Sequence, residues 1–108
     1  MSAKLLGKNG PVANTYTTIY SVPAGKKATA VINACNINQL GIKVRIAICP
    51  STYVDGSAPD IADFYEYDVI IGVGSALERS ALILDSGEKV VVYSNSANTA
   101  FRLHGMEE

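Results

Sequence analysis

The chain has 108 residues, of which 48% are hydrophobic, and a formal net charge of −1. This length predicts one domain, and the apolar content argues against intrinsic disorder. The longest apolar runs reach only about eight residues, far short of the ~20 that a membrane-spanning helix requires. The N-terminal residues contain no apolar stretch of signal-peptide length, so we expect synthesis in the cytoplasm.

The charges are unevenly distributed along the chain. Residues 1–54 carry +6 with no acid, and residues 55–108 carry −7. The surface of the folded chain either mixes these charges or presents complementary faces that let subunits pack head to tail. Nucleic-acid binding is not favoured, because no basic cluster is longer than two residues or interleaved with aromatic residues.

The chain begins with a segment, residues 1–14, that is broken by two glycines and a proline. Such a segment is typical of an arm, which either frays or orders against a neighbouring subunit. Residues 15–22, rich in Thr and Tyr, predict the first strand, and the turn Pro-Ala-Gly-Lys follows it.

Residues 28–49 predict a central β-hairpin. In its second arm Ile42, Val44, Ile46 and Ile48 alternate with more polar residues, which places the Ile/Val set on one face. In such a hairpin, Cys35 and Cys49 would be offset by about five residues, which is too far to form a disulfide. Both are expected to be reduced packing residues, and the alternative is a cross-linking thiol at a subunit boundary.

The longest irregular segment, residues 49–63, has two Pro and three Asp. The spacing of the three Asp residues does not match a known calcium loop, so a metal site is not favoured. Long loops in small domains often carry function, and this loop is interpreted as an exposed contact segment that presents Tyr53 and Val54.

Four further strands are predicted, over residues 64–71, 77–84, 89–94 and 99–106. A change of parity near Ser80 and Ala81 indicates a β-bulge, with a short helix as the alternative. The run Val-Val-Val predicts a central strand covered on both sides, and Phe101 and Leu103 are predicted to face inward. The pattern predicts an all-β fold, an antiparallel two-sheet sandwich of about seven strands, jelly-roll or immunoglobulin-like, over residues 15–108, with a closed barrel as the alternative.

The sequence offers few candidates for a catalytic site. The only histidine is His104, and no Gly-x-Ser-x-Gly elbow is present for a serine nucleophile. A pair of carboxylates could serve a glycosidase, but such sites usually have aromatic platforms, and the chain has no Trp. We therefore expect no enzymatic activity, no cofactor and no metal ion.

Several short runs, in this order, carry a resemblance: YSVPAGKKATAVINACN, KVRIAI, FYEYD, LERSALIL, SGEKVVVYS and FRLHGMEE. Together, over residues 15–108, they resemble a group of small virion proteins of tailed bacteriophages. Residues 5–14 have no clear counterpart, and the loop 49–63 looks longer and more acidic than that group would predict. The resemblance implies a structural role on a particle, as a head decoration protein or as an accessory of the neck or tail.

That role predicts binding to copies of the same chain, as a trimer or ring, and to a major capsid, neck or tail protein, with neither nucleic acid nor membrane as partner. In the absence of Trp, tyrosines are expected to anchor the contacts. The predicted interface residues are Tyr16, Tyr20, Tyr53, Val54, Asp55 and Tyr65. The alternative function is a carbohydrate- or receptor-binding module such as a fibre tip.

Overall fold

A computed structural model describes residues 4–108, and within that range the chain forms eight strands and one short 3₁₀ helix. The elements are β1 (Lys4–Asn9), β2 (Thr17–Ser21), β3 (Ala28–Asn36), β4 (Ile42–Cys49), the 3₁₀ helix (Ile61–Asp63), β5 (Phe64–Ile71), β6 (Ala76–Leu84), β7 (Lys89–Ser94) and β8 (Thr99–Glu107). None of the helical segments in this described range is long and apolar enough to cross a membrane.

The strands form two antiparallel four-stranded sheets. Sheet A has the order β1-β8-β3-β6 and sheet B the order β2-β7-β4-β5. This interleaved order of eight strands is that of a jelly roll. The predicted all-β, two-sheet antiparallel sandwich is confirmed, with eight strands in the described residues instead of about seven.

The predicted central hairpin is wrong. β3 pairs with β6 and β8 in sheet A, whereas β4 pairs with β5 and β7 in sheet B. The connection between β3 and β4 therefore crosses from one sheet to the other. Both segments are strands with a buried apolar row, as their alternation predicts. Such a row is equally compatible with two strands that pair and with two strands that face each other across the core.

The core lies between the sheets and is built from the inward-facing rows of the strands. On β3 the even-numbered residues are buried, and on β4 the four predicted Ile/Val positions are at most 6% exposed. Phe101 and Leu103 of β8 face inward as predicted. On the central strand β7, Val90, Val91 and Val92 are all buried, which confirms that this strand is covered on both sides.

The segment predicted to be an arm contains an edge strand of the sandwich. β1 pairs with β8 through residues 4–9, so this part of residues 1–14 belongs to sheet A, and residues 1–3 lie outside the described range. The register of β1 shifts between Leu5 and Gly7, and that of β2 shifts between Thr18 and Tyr20. The bulged residues Leu6 and Ile19 pack against the core and close this side of the sandwich.

Bulges also shape the opposite side, where β5 and β6 are the edge strands. Ala81 has a φ of 60°, and the register of β6 shifts beside Val31, which confirms the predicted bulge and excludes the helix. A second bulge lies at Asp68, with a φ of 53°. This bulge puts Tyr67 on the outer face while Val69, predicted to share its face, packs on the core. A further register shift at Tyr65, which is exposed, turns Phe64 outward opposite Ala47.

Candidate functional site

The outer face of sheet B carries a second, smaller apolar cluster. Ala47, Cys49 and Val91 point outward from β4 and β7, yet each is at most 1% exposed. The partly buried rings of Tyr16, Tyr53 and Phe64 pack over them. Because residues 47, 49 and 91 have small or β-branched side chains, aromatic rings can lie close against this face of the sheet.

The long loop between β4 and β5 forms part of this cover. Tyr53 donates a hydrogen bond from its hydroxyl to the carbonyl of Ser57 (2.6 Å), and its own carbonyl accepts one from Lys89 Nζ (2.9 Å). Asp55 accepts a hydrogen bond from the hydroxyl of Thr18 (2.8 Å) and lies 3.5 Å from Lys89 Nζ. The loop is therefore attached to β2 and β7 and does not project from the sandwich.

Arg45 organises the neighbouring part of the same face. Its guanidinium lies between the rings of Tyr67 and Tyr93, 4.2 and 4.5 Å from their centroids. Nε and Nη2 donate to the carboxylate of Asp68 at 2.7 and 3.4 Å, and Nη1 donates to the hydroxyl of Tyr16 at 2.7 Å. All three nitrogens are engaged, so the planar group holds three elements, β4, β5 and the segment before β2, in one arrangement.

The ionisation of this group follows from its contacts. The hydrogen bond from Arg45 is the main cause that lowers the pKa of Asp68 below its ordinary value. The same bond raises the pKa of Arg45, against the opposing effect of burial. In the loop, the hydrogen bond from Thr18 and the charge of Lys89 lower the pKa of Asp55. Both carboxylates are therefore held in the charged form at neutral pH.

Four rings form a continuous aromatic layer on this face. The ring of Tyr16 lies against that of Tyr93 at a centroid separation of 4.8 Å and a tilt of 38°, and it lies 6.4 Å from Phe64, which meets Tyr67 edge to face at 4.9 Å. Edge-to-face contacts such as that of Phe64 with Tyr67 stabilise aromatic pairs beyond their burial alone. The layer is thus fixed by its own contacts and by Arg45 before any partner binds.

An open groove of about 450 Å³ runs along one side of the aromatic layer. Its lining residues are Tyr16, Ala58, Pro59, Ile61, Phe64 and Tyr67. Ile61 is 87% exposed and Tyr67 is 55% exposed, whereas Pro59 is buried. A rigid floor with exposed apolar rims is suited to receive a complementary apolar surface.

The predicted interface residues divide between three places. Tyr16, Tyr53 and Asp55 contribute to the outer face of sheet B, where Val54 is 70% exposed on the loop. Tyr20 instead points between the sheets, and its hydroxyl donates to Glu107 of β8, which also pairs with Lys4.

Tyr65 lies on the edge strand β5, 43% exposed, with the guanidinium of Arg79 5.4 Å from its ring centroid. Arg79 also forms an ion pair with Glu66 (2.6 Å), which joins β6 of sheet A to β5 of sheet B. Tyr20 and Tyr65 thus belong to the two lateral sides of the sandwich and not to the aromatic layer.

Sequence reasoning missed Arg45, Phe64, Tyr67 and Tyr93 as site residues. The outward parity of Arg45 and Tyr93 was readable, but their meeting depends on the pairing of β4 with β7, which places them directly opposite each other. The bulge at Asp68 brings that carboxylate to Arg45, and no sequence pattern marks this bulge.

Two further observations concern chemistry. Among residues 4–108, no group of three His, Cys, Asp or Glu side chains is arranged to hold a metal ion. His104 is exposed on the outer face of sheet A, where its Nε2 accepts a hydrogen bond from Arg102 Nε (3.3 Å).

Comparison with known proteins found no matching family model, no matching curated protein and no matching solved structure.

Proposed function

We propose that this protein is a non-enzymatic structural component of a bacteriophage virion, a decoration protein that binds the head and stabilises it. The resemblance of residues 15–108 to small virion proteins supports this proposal. The jelly-roll topology is compatible with it, since viral capsid domains use this architecture. Fold alone does not specify function, so the proposed role also requires a surface suited to binding a partner.

The observation that carries the proposal is the preorganised aromatic layer beside its apolar groove. Tyr and Arg are the residues most enriched in the energetic centres of protein interfaces, and the layer contains three Tyr around one Arg. Because Arg45 already holds Tyr67 and Tyr93 in place, little side-chain entropy is lost when a partner covers them. Ile61 and Tyr67 supply the exposed apolar area that would be buried.

The proposed partner on this face is a shell protein, and the second partner is another copy of the chain. A specific contact with the shell requires about 1,000 Å² of buried surface in total. In this role the protein is synthesised in the host cytoplasm and is then incorporated into the virion.

The first test is the composition of the particle. Mass spectrometry of virions purified from the phage that encodes the chain should detect the protein at a copy number close to that of the major shell protein. A much smaller copy number would instead support a neck, collar or tail accessory. Absence from purified virions would overturn the proposal.

The second test maps the contact. Ile61→Asp introduces a charge at the rim of the groove, and we expect at least a tenfold loss of affinity for empty shells in co-sedimentation. Val73→Asp is the matched control, because Val73 is also exposed (61%) but lies in the turn between β5 and β6. Equal shell binding by both variants would exclude the groove as the contact surface.

One observation favours the alternative of a carbohydrate- or receptor-binding fibre tip. Exposed tyrosine rings can stack on sugar faces, and Tyr67 is 55% exposed at the groove. Binding of the purified protein to a glycan array, lost in Tyr67→Ala and unaffected in Val73→Asp, would support this alternative over shell binding.

A further inference from the structure

The outer face of sheet A differs from that of sheet B. On sheet B the outward-facing residues at the centre are buried beneath aromatic rings. On sheet A the outward-facing residues of β6 and β8 are exposed, with Ile83 at 76% and Met106 at 40%. One large face of the sandwich is therefore open to solvent with apolar side chains in it.

A row of charged and polar residues crosses this open face. Asn33 of β3 pairs with Glu78 of β6 on one side and with Arg102 of β8 on the other, and Arg102 pairs with Lys8 of β1. The charged row thus runs from an acidic end on β6 to a basic end on β1. At ~4.8 Å between strands, the row is about 14 Å long.

The charged side chains of this row form no ion pair with other described residues of the chain. The four ion pairs between residues 4–108 involve Lys4, Arg45, Arg79 and Lys89 with their acidic partners. Glu78, Arg102 and Lys8 take part in none of them. All three are exposed, and the guanidinium of Arg102 donates one hydrogen bond, to the ring nitrogen of His104.

We infer that the outer face of sheet A is a self-association surface, on which a second copy of the chain packs around a two-fold axis parallel to the strands. An axis between β3 and β8 places β6 of one copy opposite β1 of the other. Glu78 then faces Lys8 of the second copy, twice by symmetry, and Asn33 faces Arg102. The inference deepens the proposed self-association and rests on it.

The neighbouring rows are compatible with the same axis. Within one copy, Val31 pairs with His104 and Thr29 pairs with Met106. Across the interface, Val31 of one copy would therefore face His104 of the other, and Thr29 would face Met106. A two-fold axis perpendicular to the strands would instead place Glu78 opposite another part of β6, without a basic partner. The charged row therefore selects one of the two ways in which the sheets can face each other.

The available area is sufficient for a dimer of moderate affinity. Four strands of up to nine residues give a face about 19 Å wide and 30 Å long, or ~570 Å² per copy and ~1,100 Å² in total. This value lies near the lower limit for specific interfaces. Aligned packing of two twisted sheets, at about 30°, is a common arrangement for such faces.

The experiment uses charge exchange, with sedimentation equilibrium as the readout. The wild-type protein should form a dimer whose dissociation constant rises with salt concentration. Glu78→Lys makes the row entirely basic, and Lys8→Glu/Arg102→Glu makes it entirely acidic. Each variant alone should dissociate at least tenfold more readily than the wild type. An equimolar mixture should restore a dimer, because residues 78 and 8 then carry opposite charges at both of their facing positions.

The matched control is Asp60→Lys, which makes the same charge change in the loop on the other side of the sandwich and should dimerise as the wild type does. Circular dichroism verifies that each variant is folded. A wild-type monomer at millimolar concentration, a trimer or larger ring, or a mixture that fails to associate would each overturn the inference. None of these outcomes depends on shell binding, so virion composition tests the proposed function separately.

Discussion

Replacing Gly7 by alanine tests whether β1 is an integral part of the sandwich. The Cβ that alanine adds at this position would overlap the backbone carbonyl oxygen of Ile19, at the point where the bulges of β1 and β2 meet. A backbone atom held by neighbouring strands cannot move aside as a side-chain end does. The clash must therefore be relieved by separating β1 from β2, which exposes Leu6 and Ile19.

Overpacking of this kind costs about 1–3 kcal/mol. For a domain of this size, each kcal/mol lowers the melting temperature by about 4 °C, so we expect a decrease of ~4–12 °C in differential scanning calorimetry. Gly10→Ala is the matched control, because there the nearest atom to the added Cβ is Thr99 O at 3.6 Å, an ordinary contact. If both variants melt at the same temperature, the close approach of β1 and β2 does not exist in solution.

Three further predictions concern the core, the lateral polar contact and the thiols. Leu103→Ala should lower the free energy of unfolding in urea by about 2–5 kcal/mol, and Ile83→Ala by no more than about 0.5 kcal/mol, because only Leu103 is buried; similar losses would refute the assigned faces of sheet A. The Tyr20–Glu107 hydrogen bond lowers the pKa of Glu107, while burial and then this bond raise the pKa of Tyr20. The hydrogen bond therefore contributes fully to folding stability between pH 4.5 and pH 10.0, the ordinary pKa values of Glu107 and Tyr20. This stability is lost as pH falls through the folded-state pKa of Glu107 or rises through that of Tyr20. Tyr20→Phe should flatten both limbs of a profile of stability against pH, and an unchanged profile would contradict this. Burial raises the pKa of the Cys49 thiol to about 11, so Ellman's reagent at pH 8 should label half-exposed Cys35 quickly and Cys49 only on unfolding, and two equally fast thiols would disprove the burial of Cys49.

The local features of the fold were predictable because they depend on side-chain periodicity. A period of two identifies strands and their inward faces, as for β4 and β8, and a change of parity identified the bulge at Ala81. The run of three valines in β7 marked a strand buried on both faces. Each of these signals is contained within a few neighbouring residues.

Strand pairing was not predictable in the same way. Whether β3 pairs with β4 or faces it across the core depends on all eight strands together, since both arrangements bury the same residues. The contacts of the site were not predictable for the same reason. Arg45 meets Tyr93 through the pairing of β4 with β7, and it meets Asp68 through a bulge that no parity change in the sequence announces.

The two proposed contacts have a joint geometric consequence. If two copies pack through sheet A, four sheet layers are stacked at spacings of about 10 Å, and the two copies of sheet B lie ~30 Å apart and face in opposite directions. A flat shell could then engage only one aromatic layer of each pair. Both layers can be used only when the pair stands between two raised shell subunits and bridges them.

Bridging distinguishes a cementing role from simple coating. A bivalent pair gains from effective concentration at its second contact, whereas a single copy does not. In the proposed role, Glu78→Lys should therefore still bind empty shells through the groove but fail to raise their melting temperature, and addition of Lys8→Glu/Arg102→Glu should restore the stabilisation. Equal stabilisation of shells by the monomeric variant and the wild type would mean that each copy acts alone.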